Sequence, residues 1–91
     1  MAVTLYQAKQ YLKVDGNDDN ALITSFINAA EELCEGILRF PLSDFDVVPE
    51  SVKQSVLYAV ANFYEQRENN DTKAIIEVMT RLLFAYRKEG W

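Results

Sequence analysis

From Leu22 to Leu38 the apolar residues return every third or fourth position, and nothing else constrains the fold so tightly. Leu22, Ile23, Phe26, Ile27, Ala30, Leu33, Cys34, Ile37 and Leu38 keep this spacing for about five turns of an α-helix. Such a stripe is wide enough to face two neighbours at once. Glu31, Glu32 and Glu35 fall on the opposite side and read as a solvated face, with Glu35 placed to pair with Arg39 at i,i+4. Pro41 disfavours helical geometry at Phe40, so the helix spans about 19–39.

Three further helices follow from the same reasoning. Thr4 with Gln7 has the form of a capping box and opens a short helix over 4–13, with Leu5, Ala8 and Leu12 inward. Residues 15–20 (DGNDDN) break the chain. Residues 40–48 form an unusually apolar loop, in which Phe40, Leu42, Phe45 and Val47 fold over the helix ends or meet a partner. Pro49 suits the first position of a third helix over 49–68, with Val52, Val56, Ala59, Val60, Phe63 and Tyr64 as its core face. Leu57, Tyr58 and Ala61 lie to one side of that face. A polar turn then leads to a fourth helix over 72–89, with Ile75, Ile76, Met79, Leu82, Leu83 and Tyr86 inward, Val78, Phe84 and Ala85 outside, and Gly90 as its stop. No period-two alternation is sustained. The expectation is one all-α domain over residues 1–91, a compact bundle of four helices with the first one short.

Composition narrows the function. A chain of 91 residues is near the lower limit for folding alone, yet 49 % of it is hydrophobic: either part of the apolar surface is left over for another copy, or Tyr and Ala inflate the count while sitting at the surface. The net charge of −5 repels phosphate and argues against tight binding along a nucleic-acid backbone. The charge is uneven: residues 1–71 hold five Lys/Arg and twelve Asp/Glu, whereas residues 72–91 hold four and two. A helix-turn-helix reader is also disfavoured, because about ten residues with two prolines separate the second and third helices. There is no histidine, one cysteine and no glycine-rich phosphate loop, so no catalytic, cofactor-binding or metal-ligating set is expected. Asp15, Asn17 and Asp19 resemble the start of a calcium loop, but Asn20 and Phe26 stand where glycine and a bidentate glutamate are required. Cys34, inside the apolar stripe, reads as a small buried hydrophobe that fits a reducing compartment. The longest apolar run, 56–61, is far short of the about 20 residues that span a bilayer, and no membrane partner is expected.

Five short pieces occur in order: residues 8–15 (AKQYLKVD), the helix carrying Ala29 and Ala30, residues 48–56 (VPESVKQSV), residues 62–68 (NFYEQRE) and residues 82–87 (LLFAYR). In order, spacing and flanks they resemble the small head–tail connector (head-completion adaptor) proteins of long-tailed double-stranded DNA phages, over most of the chain. Members often carry a Pro-Gly-rich stretch before the final Leu-Leu and Tyr-Arg; residues 75–80 here read as continuous helix, so the far end differs. The resemblance implies a non-enzymatic virion protein made in the bacterial host cytoplasm. It would form a ring, by family habit a dodecamer, joining the portal of the filled head to a tail or stopper protein, with DNA passing through without sequence-specific binding. The faces left over by the helical pattern, Leu57, Tyr58, Ala61, Val78 and Phe84, would then form the subunit or portal interface. Arg67 and Arg87 match the arginines of the family's Tyr-Glu-x-Arg and Tyr-Arg pieces and would join them there; an intramolecular pair with a helix-terminal carboxylate is the other reading. The competing function is a generic small helical interaction or DNA-associated regulatory domain from a bacterial or prophage genome.

Overall fold

The apolar stripe of residues 22–38 becomes the longest helix of a four-helix bundle. The computed structural model describes residues 2–66 and 71–87. Its elements are α1 (Leu5–Leu12), α2 (Asn20–Leu38), a 3₁₀ turn (Leu42–Asp44), α3 (Glu50–Glu65) and α4 (Thr72–Leu83). No strand occurs among the described residues. The backbone measures 42 × 30 × 16 Å. The short dimension corresponds to two helix layers with axes about 8–10 Å apart, so each helix keeps one side at the surface.

Helices α2 and α3 each pack against the other three. Ile23, Ile27, Ala30, Cys34 and Leu38 form the fully buried half of the α2 stripe, while Leu22, Phe26, Leu33 and Ile37 line its half-buried edge. Phe26 meets Phe63 of α3 in a tilted pair at 5.9 Å. The expected core face of α3 is found, with Val52, Val56, Ala59 and Val60 buried. Ser55 is buried with them; its hydroxyl donates to the Val52 carbonyl at 2.8 Å and lies 3.9 Å from Cys34 Sγ. At the other end the Tyr64 hydroxyl donates to Asp19 Oδ2 at 2.7 Å, fastening the end of α3 to the start of α2.

Several boundaries and roles differ from expectation. Leu57 is only 8 % exposed. It lies between α3 and α1, beside Val3 and Tyr11, because the short first helix covers that side of α3. Leu57 is therefore core, not an outward interface residue. Pro49 stands one position before the helix, with φ −61° and ψ 150°, and its carbonyl receives the N–H groups of Val52 and Lys53. The final helix runs unbroken through residues 75–80 but stops at Leu83, with 84–86 forming a turn. The Tyr86 and Arg87 N–H groups both return to the Leu83 carbonyl. Tyr86 thus leaves the inward helical stripe and meets Phe45 edge-on, with ring centroids 6.0 Å apart. Gly90 and the expected helix end at 89 lie outside the described residues.

The capping box at Thr4 and Gln7 is present in both directions. At the other end of α1, Lys13 takes the left-handed conformation (φ 62°, ψ 43°), and the Val14 N–H returns to the Lys9 carbonyl at 2.9 Å. This is the Schellman arrangement, in which glycine is the usual occupant.

Two outcomes follow. Leu57→Asp places an unpaired carboxylate inside the α1–α3 contact and is expected to cost about 3 kcal/mol or more, read as a collapse of the urea midpoint. Lys13→Gly removes a left-handed non-glycine residue and is expected to stabilise by about 0.5–1 kcal/mol, read as a higher thermal midpoint.

Candidate interaction surfaces

Two unlike surfaces flank the core. The first is built by residues 40–48. Pro41, in extended geometry, turns the chain away from α2 and lets Leu42 drop into the core. Glu35 Oε2 accepts the Leu42 N–H at 2.7 Å and fixes where the 3₁₀ turn begins. Glu31, one turn earlier, accepts the Ala2 N–H at 2.8 Å and the Val3 N–H at 3.4 Å. Two of the three glutamates expected on a solvated face therefore hold backbone segments. Phe40 and Phe45 meet edge-on at 5.2 Å, and Tyr86 extends the aromatic row. A groove of about 320 Å³ runs past Glu31, Glu35, Leu42, Phe45 and Val48. Beyond it Val47 is 81 % exposed, and Phe84, two residues before Tyr86, is 68 % exposed.

The second surface is the outer side of α1. Tyr6 is 69 % exposed, and its hydroxyl oxygen accepts a hydrogen bond from Gln10 Nε2 at 2.9 Å. An open depression of about 560 Å³ is lined by Tyr6, Lys9, Gln10, Lys13, Val14 and Asp15. Lys9 Nζ donates to Asn17 Oδ1 at 3.0 Å, tying the lysine to the acidic turn behind it.

Among the described residues no three His, Cys, Asp or Glu side chains converge to hold a metal ion, and no helix is long and apolar enough to cross a membrane. The Cys34 thiol is fully buried, and burial pushes its pKa up to about 11, against the opposing effect of the Ser55 hydrogen bond.

The family model described as phage gp6-like head-tail connector protein matches residues 2–88. The chain belongs to this family. It is a phage structural connector. The crystal structure of bacteriophage HK97 gp6 is similar to it, with 26 % identity and a TM-score of 0.74 over 96 % of this chain and 94 % of that one. The comparison with curated proteins gives no match.

The interface residues expected from sequence scatter over the connector. Phe84 alone is a large apolar side chain held fully outward. Tyr58 and Ala61 are half-buried one turn apart on α3, Val78 is half-buried on α4, and Arg87 is half-buried at the turn after α4. Arg67 lies outside the described residues. Tyr6, which sequence reasoning missed, is exposed because it falls outside the stripe of Leu5, Ala8 and Leu12; that periodicity was the available signal.

Burial of Cys34 sets a chemical expectation. With the thiol near 11, about one part in a thousand is thiolate at pH 8, so the native connector should resist alkylation that the unfolded chain accepts. The folded value lies above the ordinary 9.0, so this group's contribution to stability is complete below pH 9 and is lost as pH rises toward 11. Urea unfolding at pH 8 and pH 10.5 reads the loss.

Proposed function

We propose that the connector is a non-enzymatic component of the phage virion that assembles, through one repeated contact between unlike surfaces, into a ring at the head–tail junction. In this reading the ring sits on the portal of the filled head, receives a tail or stopper protein at its other side, and extends the DNA channel. The observation that carries it is the match to the head–tail connector family over nearly the whole chain. Residues 1–71, with their excess of acid, would give the channel wall few sticking points for phosphate, so DNA passes without sequence-specific contact. A dodecamer and assembly in the host cytoplasm belong to the same proposal.

Physics supports a ring over an isolated monomer. A heterologous contact repeated by rotation forms a ring where the rotation closes. Individually weak contacts, summed around the circle, then hold firmly to a portal of matching symmetry. Phe84, with Tyr86 and Val47, supplies uncovered apolar area for such a contact. Tyr58, Ala61, Val78, Arg67 and Arg87 remain proposed subunit or portal contacts, whereas Leu57 does not.

Phe84→Asp should leave the thermal midpoint close to that of the unaltered chain, because the side chain is outside the core. It should weaken ring assembly tenfold or more, or about 1.4 kcal/mol. Sedimentation velocity, and the capacity to complete connector-free filled heads, measure this. Full activity of Phe84→Asp in both assays removes Phe84 from the interface; a wild-type chain that neither associates nor completes heads removes the ring.

A further inference from the structure

The two surfaces are opposite in chemistry. Residues 1–14 contain Lys9 and Lys13 and no Asp or Glu, whereas residues 15–50 contain nine Asp/Glu and only Arg39 of opposite sign. The outer side of α1 accordingly carries two lysines beside exposed Tyr6, with Asp15 at its far edge, whereas Tyr11 is exposed on the side toward α3. The groove along the 3₁₀ turn is apolar and anionic: Leu42, Phe45 and Val48 wall it with Glu31 and Glu35, and exposed Asp44 and Asp46 flank Phe45 in the chain. The hydrogen bonds that Glu31 and Glu35 accept from the backbone leave lone pairs on both carboxylates for an incoming ammonium.

Within one molecule the two lysines stand away from the groove. Ala2 lines the groove, while Lys13 stands beyond the far end of α1, an eight-residue helix about 12 Å long. Lys9 is turned toward Asn17. We propose that the groove beside the 3₁₀ turn receives the Tyr6, Lys9 and Lys13 side of α1 from a second copy of the connector. The inference rests on the ring reading and names the pair of surfaces that repeats around it. The contact joins two different patches, so it is heterologous, the class that propagates from copy to copy and forms a ring where the rotation closes. Tyr6 and Phe45 supply buried aromatic area. The lysines set register and encounter rate, which makes assembly weaken as salt rises.

Charge reversal in the full-length chain tests the pairing. Lys9→Glu with Lys13→Glu, and separately Asp44→Lys with Asp46→Lys, should each fold normally and associate at least tenfold more weakly in sedimentation velocity at low salt. A chain carrying all four reversals should recover wild-type association. If Lys9→Glu lowers the thermal midpoint through its lost bond to Asn17, Lys13→Glu alone serves as the α1 variant. Wild-type assembly by both reversed chains overturns this pairing and leaves the ring intact, as does loss without recovery in the fourfold chain. A wild-type chain that stays monomeric in solution and on filled heads overturns the ring and the pairing together.

Discussion

The contact between α2 and α3 is the interaction on which the rest depends. It is made by small side chains at its middle: Ala30 and Cys34 from α2, Ser55 and Ala59 from α3, all fully buried. Small residues let two helix axes approach closely, and interiors packed at crystal-like density tolerate little added volume. Ser55 is the polar exception. Its donation to the Val52 carbonyl satisfies the hydroxyl within its own helix, so the core gains a small residue without a stranded polar group. With these two helices fixed, α1 and α4 each have a ready-made surface to cover.

Around that centre, long polar reaches set the shape of the edges. Glu31 and Glu35 fasten the N-terminal segment and the 3₁₀ turn to the back of α2, and Tyr64 fastens α3 to Asp19. Hydrogen bonds to ionised groups are among the stronger ones in proteins. They position the walls of the groove with an accuracy that apolar packing alone does not impose. Two of the side chains that line the groove, Glu31 and Glu35, are thus held in place by the backbone they bind.

Helix existence was legible because the period of apolar residues is a local property. The stripe of α2, the capping box of α1 and the core face of α3 each declared themselves within one or two turns of sequence. What was not legible depended on contacts far apart in the chain. Leu57 lies beside the core face of α3, and only the docking of α1 makes that side interior. Residues 84–86 retain helix-compatible side chains, and the chain leaves the helix where Tyr86 meets Phe45, about forty residues earlier. Glu31 and Glu35 look like ordinary solvated acids until residues 2, 3 and 42 come to them. Among exposed residues, Phe84 was legible because it falls outside the inward stripe of α4, whereas Tyr6 was passed over although it falls outside the stripe of Leu5, Ala8 and Leu12.

The edge-on stack of Tyr86 on Phe45 has a mechanical consequence. It joins the turn after α4 to the segment between α2 and α3, a ring contact worth about 0.5–1.5 kcal/mol. A displacement of either segment is passed through this contact to the other. At about one to three times the thermal energy, such a contact opens and closes without disturbing the helices on either side.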